Sequence, residues 1–449
     1  MKPETTLRRI QPERLLMGGF MMLIAAGTLL LGLPVSASDG VSIGWFDSLF
    51  TASSAVCVTG LSVIDPGTAL SPFGQLVLLV LIQSGGLGCM ACATMVMIAL
   101  GRRITLRDRV LIRESINAVS LSGLVRLTLV YGATAMVIEA VGATLLAVRF
   151  VPQFGVSRGC WVALFHAVSA FCNAGFDLLG TSLTEYRCDA YVLLVHSGLI
   201  ILGGVGFSVL SELMHKRFRW RRLTLHARLV LIVSASLLLC GTALFALLEW
   251  DNPATLGGCG APGEKLLNAF FQSVTMRTAG FASIDQSAQR DASKLVGILL
   301  MFIGASPAST GGGMKTTTVS ILFLILWSVV RGRRDVTVLG RRLPADVMRR
   351  AIAMLMIAVT VLLAGTLLLT IIEHDRFPLI DLLFESASAL STAGVSAVGT
   401  PLLKPAGQVL LIPMMLFGRV GVLSLAMALA GRQETYTRLR YPEESIMIG

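Results

Sequence analysis

"FESASALSTAG", residues 384–394, begins with a phenylalanine and ends with a glycine ten residues later. Small and hydroxylated residues fill the interval. It is too short to cross a bilayer, and its glycine end reads as a turn. Three earlier stretches share the form: "FTASSAVCVTG" (50–60), "FHAVSAFCNAG" (165–175) and "FFQSVTMRTAG" (270–280). Their glycines, Gly60, Gly175, Gly280 and Gly394, stand 115, 105 and 114 residues apart. Four degenerate copies at near-constant spacing mark an internal repeat, and a repeat constrains the fold before any single segment does.

The context of each copy is also repeated. An apolar block long enough to span comes first, as in "LLMGGFMMLIAAGTLLLGLP" (15–34), which carries no charge. A half-length stretch of about ten residues leads into the turn. A glycine-rich apolar block follows, with related words: "IQSGGLG" (82–88), "LGGVGFSVL" (202–210), "FIGASPASTGGG" (302–313) and "FGRVGVL" (417–423). Mean hydropathy is +0.78 and charged residues are 14% of the chain, against roughly 25% in soluble domains. The expected fold is therefore an all-α polytopic membrane protein. It has four helix–half-helix–turn–helix (M1–P-loop–M2) repeats, eight transmembrane helices and four re-entrant segments. The repeats occupy residues 1–100, 101–214, 215–330 and 331–430, with a tail at 431–449. A pseudo-fourfold arrangement around a single pore follows, since re-entrant backbone is tolerated where it is buried or lines a wet cavity. The first block is longer than the h-region of a signal peptide, and we read it as the first helix of the first repeat.

The net charge of +11 is concentrated between repeats. "GRRITLRDRVLIRE" (101–114), "HKRFRWRRLTLHAR" (215–228) and "RGRRDVTVLGRRLPADVMRR" (331–350) are basic, and Lys2, Arg8, Arg9 and Arg14 precede the first helix. The positive-inside rule puts these segments and both termini in the cytoplasm of a multi-pass plasma-membrane protein. Topology accounts for the basic runs without a nucleic-acid ligand. Cys89 and Cys92 form a CxxC inside an apolar helix and read as packing residues, with no further metal ligands nearby. Cys160, Cys188 and Cys259 fall in outer segments, where their pairing is open.

The four turns carry the chemistry. Glycine admits positive φ and close approach without a Cβ. Rings of backbone carbonyls can replace the hydration shell of a cation, and helix C-termini aimed at a cavity favour positive charge. The candidate ion-binding residues are Val58, Thr59 and Gly60; Asn173, Ala174 and Gly175; Thr278, Ala279 and Gly280; Thr392, Ala393 and Gly394. The plain alternative, four unrelated loop glycines, leaves the constant Phe-to-Gly spacing unexplained.

With these four segments, the "RTAGF" of the third, the "GRVG" of the last helix and the ending "YPEESIMIG", the chain resembles the KtrB subunits of bacterial Ktr potassium transporters, in the Trk/Ktr/HKT superfamily. The short segment before the first helix fits that branch better than the TrkH branch. The resemblance implies potassium uptake into bacteria across the plasma (inner) membrane, with K⁺ bound by filter carbonyls and no cofactor in this chain. It further implies a homodimer, sodium as an activator, and a cytoplasmic KtrA-type ring that binds nucleotide. A glycine at the first filter position, Gly60, goes with potassium rather than sodium in the plant HKT branch. The residues before each glycine are nonetheless uneven, so the ring is less symmetric than a tetrameric filter.

Charges within apolar blocks need a partner or a task. The resemblance implies that Arg419 projects into the pore below the filter; pairing with Glu385 is the structural alternative. Arg277 reads as a brace of the third turn through carbonyls, with Glu139 and Glu385 as further candidate partners. The third M2 block is interrupted by "GASPASTGGGMKTTT" (304–318), where Pro307 and Gly311, Gly312 and Gly313 break a helix. "GGGMKT" lacks the glycine before the lysine and the preceding strand that a nucleotide site needs. By resemblance this segment, from Gly304 to Lys315, gates the pore; as a separate expectation, Lys315 holds it closed by pairing with an acidic group. Two other classes compete: a Trk-type, sodium-coupled or other secondary transporter, and a membrane enzyme. Secondary transporters usually carry inverted repeats, whereas these copies read in one sense. His166, His196 and His374 fall near outer helix ends, and no Ser/His or HExxH constellation accompanies them.

Overall fold

The computed structural model describes residues 12–88 and 124–421, except 334, 339 and 375. The CxxC, the first basic loop and the tail 431–449 lie outside the described residues. The described chain is almost wholly helical. In order the helices are α1 (Pro12–Leu31), α2 (Trp45–Cys57), α3 (Pro72–Leu87), α4 (Leu124–Phe154), α5 (Val156–Cys172), α6 (Ala190–Val205), α7 (Phe207–His215), α8 (Leu225–Glu249), α9 (Pro262–Thr275), α10 (Asp291–Ile303), α11 (Thr316–Val330), α12 (Ala345–Glu373), α13 (Leu379–Ser391) and α14 (Pro405–Val420). A two-residue hairpin, Thr337–Val338 with Arg341–Arg342, joins α11 to α12.

Among the described residues, α4, α8 and α12 have the length and hydropathy of a full span. A fourth arises if α6 and α7, bent by 96° at their junction, count as one. This differs from eight uninterrupted spans. The second helices α3, α6, α10 and α14 run only 16, 16, 13 and 16 residues. Each ends at a glycine with positive φ: Gly88 (88°), Gly206 (98°), Gly304 (56°) and Gly421 (95°). The break expected of the third copy alone is thus present at the end of every described second helix.

Two large apolar clusters hold the helices, and a small third one, around Val209 and Val230, joins α7 to α8. Of the large ones, one surrounds α1 to α6, with Leu78, Phe150, Phe165 and Phe171 fully buried; the other surrounds α8 to α14, with Phe245 and Phe384 buried. Polar contacts between helices add to packing, as membrane helices require. Gln83 of α3 donates to both oxygens of Glu139 on α4 (3.0 and 3.1 Å), and Trp161 Nε1 of α5 donates to Gln75 of α3 (2.7 Å). Lys294 of α10 pairs with Asp381 of α13 at 2.6 Å. Buried carboxylates ending two long helices cap the second helix of their own copy. Glu249 accepts from the Arg290 N–H, and Glu373 from the Lys404 N–H, both at 2.9 Å. All six described cysteines are free thiols.

Candidate functional site

The short helices α2, α5, α9 and α13 have 13, 17, 14 and 13 residues and all run into the glycine turns. Three of them stop the same way. The N–H groups of Val58, Asn173 and Thr392 bond three residues back, and those of Thr59, Ala174 and Ala393 bond five residues back, at 2.8 Å. This is the paired bonding of a left-handed helix cap. The capping residue has φ near +50° in each: Val58 56°, Asn173 57°, Thr392 51°. Glycine usually fills that position, and a non-glycine residue there costs of order 1–3 kcal/mol. These caps are fully buried, so packing holds them.

The third copy is out of phase by one residue. Ala279 N–H bonds Thr275, four residues back, and the buried phenylalanine is Phe271 rather than Phe270. The alignment on Phe270 is therefore corrected to Phe50, Phe165, Phe271 and Phe384, all fully buried. With that correction a second regularity appears. The next residue is polar in every copy: Thr51, His166, Gln272, Glu385. So is the fourth after the phenylalanine: Ser54, Ser169, Thr275, Ser388. The two positions are three apart and share a helix face. Six of these eight side chains bond the turn or the chain that continues from it, whereas the Thr51 and Ser388 hydroxyls have no partner among the described residues. Ser54 accepts from Gly60 N–H (3.1 Å), Ser169 donates to the Phe176 carbonyl (2.7 Å) and Thr275 to the Phe281 carbonyl (2.5 Å). His166 accepts from Leu178 N–H (3.3 Å), Gln272 bonds Gln286 (2.6 Å), and Glu385 accepts from Ser396 and Thr400 (2.7 Å each).

The four glycines meet. A Cβ on Gly60 would overlap the Ala174 carbonyl oxygen, and one on Gly394 would overlap that of Thr59. A Cβ on Gly175 would lie 3.0 Å from the Ala279 oxygen, and one on Gly280 3.1 Å from the Ala393 oxygen. The cycle closes: each glycine abuts the carbonyl that precedes the glycine of the next copy. Gly60, Gly175, Gly280 and Gly394 all line one recess of about 610 Å³, with Asp177, Asp285 and Ser396 on its walls. Thr59, Thr278 and Thr392 place buried hydroxyls at the ring that have no hydrogen-bond partner among the described residues.

Loop 304–315 lies against the ring. A Cβ on Gly311 would overlap Thr278 Oγ1, and one on Gly312 would overlap Thr392 Oγ1. The loop docks on the α6–α7 junction: Ser306 N–H donates to the Gly204 carbonyl (3.1 Å), Thr310 N–H to that of Gly203 (3.3 Å), and Phe207 N–H to that of Ala308 (2.8 Å). Pro307 and Gly313 lie in the same loop, and Gly313 has φ 72°.

The charged residues settle differently from the sequence expectations. Arg419 does not pair with Glu385. Its guanidinium donates to the carbonyls of Thr310 in the loop and of Gly85 and Gly86 at the end of α3. Helix ends leave such carbonyls unsatisfied, which makes them ready acceptors for a cation. Glu385 and Glu139 are engaged elsewhere, as described above. Arg277, buried, reaches one carbonyl, Gly304, at 3.5 Å. Lys315 has no acidic partner among the described residues, and its ammonium donates to Gly311 within its own loop (2.7 Å). His166 and His196 are both buried and face one another, whereas His374 caps α12.

A further signal lay in the second-helix words. Gly85-x-x-Gly88, Gly203-x-x-Gly206 and Gly418-x-x-Gly421 share a spacing. The first glycine of each packs on a carbonyl near the end of its own short helix: Val56, Phe171 and Leu390. The second ends the helix.

The model of the TrkH family, described as a cation transport protein, matches residues 14–438. The chain belongs to the TrkH family. Relatives cover nearly its full length. Ktr system potassium uptake protein B of Bacillus subtilis is 38% identical, over 98% of this chain and 97% of that protein. The protein of the same name from Vibrio alginolyticus is 37% identical, over 97% and 94%. Potassium/sodium uptake protein NtpJ of Enterococcus hirae is 36% identical, over 98% of each. In structure the chain resembles the potassium transporter TrkH of Vibrio parahaemolyticus, with a TM-score of 0.72 at 19% identity, over 96% of this chain and 86% of that one. TrkH family membership makes this chain a cation transporter rather than an enzyme.

Proposed function

We propose that this chain is the pore-forming subunit of a Ktr-type potassium uptake system in the bacterial plasma membrane. The observation that carries the reading is the closed cycle of four glycines against four carbonyls at the floor of a polar recess. Backbone carbonyls at such a ring replace the water lost by a potassium ion. The unpartnered hydroxyls of Thr59, Thr278 and Thr392 add ligands that need no competing bond to be broken. The four copies then form four repeats, each with a first helix, a pore helix, a filter turn and a broken second helix. Eight membrane crossings around one pore follow, with the basic loops and both termini cytoplasmic.

Loop 304–315 is the gate in this reading. It lies on the face of the ring opposite the recess, and Arg419 latches it to the end of α3. A homodimer and a cytoplasmic nucleotide-binding ring of the KtrA type complete the system in this reading; the relatives' names, protein B of a Ktr system, support only that a further component exists. Sodium acts as activator rather than principal cargo, although the Enterococcus relative is named for both ions.

The test is radioactive rubidium uptake in cells that lack their own potassium uptake, with and without a KtrA-type partner. Uptake should appear and be strongest with the partner. Gly394→Ser, whose side chain would enter the Thr59 carbonyl, should abolish rubidium preference over sodium. Wild-type ion preference in Gly→Ser variants at all four glycines would sink the filter assignment.

A further inference from the structure

In the second, third and fourth copies the residue after the buried phenylalanine braces the limb that leaves the turn, and in the second this residue is a histidine backed by another histidine. His196 Nδ1 faces the Val192 carbonyl (2.8 Å), and a carbonyl only accepts, so that nitrogen carries the proton. The other nitrogen of the neutral ring then holds a lone pair. It faces His166 Nδ1 at 3.3 Å, which must donate. His166 Nε2 is left as the acceptor that Leu178 N–H requires at 3.3 Å. Each link fixes the next, and the series runs from helix α6 to the backbone three residues beyond Gly175. It works in this direction only, with both rings neutral. A charged His196 would set two donors face to face, or force His166 into the tautomer that opposes Leu178 N–H.

Three further observations show what the pair supports. Both histidines are fully buried, so water offers Leu178 no substitute acceptor. Phe281, the residue after Gly280, packs against both rings, with centroids 5.8 Å from His166 and 5.3 Å from His196. Phe150 closes His166 from a third side at 5.6 Å. The pair therefore touches the exit of the second turn through a hydrogen bond and that of the third through a ring contact. Those two turns meet where Gly175 and Gly280 abut: a Cβ on Gly175 would lie 2.5 Å from Gly280 Cα.

We propose that His166 and His196 are positioning residues that set ion discrimination by fixing the distance between the second and third filter turns. This rests on the filter reading above. Potassium and sodium differ in how far apart their ligands must stand, so a ring whose corners can drift selects less well. His166 acts through Leu178 and Phe281 and does not touch the ion; His196 acts through His166.

The experiment compares His166→Leu, His166→Gln, His196→Leu and Gly280→Ser in full-length protein, in cells lacking potassium uptake. Rubidium and sodium uptake are measured at equal concentrations and normalised to protein in the membrane. Loss of the brace should lower the rubidium-to-sodium ratio roughly five- to tenfold in His166→Leu and His196→Leu, and raise the KM for rubidium more than it lowers the maximal rate. His166→Gln offers an oxygen to Leu178 and an N–H to His196, and should stay within about twofold of the wild-type ratio. Should His166→Leu fail to reach the membrane, His196→Leu set against His196→Gln carries the same decision. A normal ratio in the leucine variants, with Gly280→Ser altered, overturns the proposal and leaves the filter standing. A normal ratio in all of them, Gly280→Ser included, removes both.

Discussion

At the residue scale, Arg419 shows how an intramembrane charge is kept. Burying an arginine at the centre of a span costs about 2.5–3.5 kcal/mol on insertion scales. Here carbonyls of two elements meet it. Arg419→Ala should therefore free the Thr310 segment and raise rubidium uptake without the partner, at normal membrane levels. Arg419→Lys, which lacks the planar fork, should behave as an intermediate. If Arg419→Ala is absent from the membrane while Arg419→Lys is present and conducts as wild type, the contact serves assembly alone. Lys294 and Asp381 offer a contrasting pair, with side chains 6% and 13% exposed. Removing one partner of a buried pair costs about 3 kcal/mol, less here because Asp381 lies in the first turn of α13 and gains from the helix N-terminus. Lys294→Ala should lower the melting temperature in detergent by several degrees, and adding Asp381→Ala should recover part of the loss.

At the element scale, loop 304–315 is held by three backbone bonds to the α6–α7 junction and by side-chain bonds: Arg419 and Arg277 donate to the Thr310 and Gly304 carbonyls, and Thr310 Oγ1 to that of Phe171. Shortening Ser309–Gly313 should raise rubidium uptake and reduce its dependence on the partner. A shortened protein at normal membrane levels that is no faster alone would assign the gate elsewhere. The turns and this loop were legible in the sequence, because glycine spacing and proline report backbone demands directly. The phase of the third copy was not. Phe270 and Phe271 are adjacent, and only burial tells which one packs. With Phe270 in place of Phe271, the polar positions Thr51, His166, Gln272 and Glu385 do not line up. The breaks at Gly88, Gly206 and Gly421 were hidden for another reason. A glycine in an apolar helix is ordinary, and what marks these three is a glycine three residues earlier, Gly85, Gly203 or Gly418, that packs on a carbonyl of the short helix. The partners of Arg419 were missed likewise: it binds carbonyls at the end of α3 and in the loop, and not Glu385.

At the scale of the whole molecule, three of the four aromatic–cation contacts among the described residues lie where the short helices begin: Arg158 over Phe154, Lys265 over Trp250 and Arg376 over Phe377. The fourth, Arg331 over Trp327, ends α11 near the basic hairpin. Such side chains favour the water–lipid boundary. Single cysteines at Arg219 and Arg342 should label from the cytoplasm only, and one at Arg158 from outside only. Labelling of Arg219 and Arg342 from outside would invert the topology. The one-residue phase of the third copy also decides which quarters of the molecule are exchangeable. One residue is 100° of helix rotation and about 1.5 Å of rise. Joining α9 to the turn of α13 would swing the face that braces the turn away from it, whereas α2, α5 and α13 match one another in phase. The four quarters are thus three of one kind and one of another, and a chimera built by similarity of sequence alone would fail at the third.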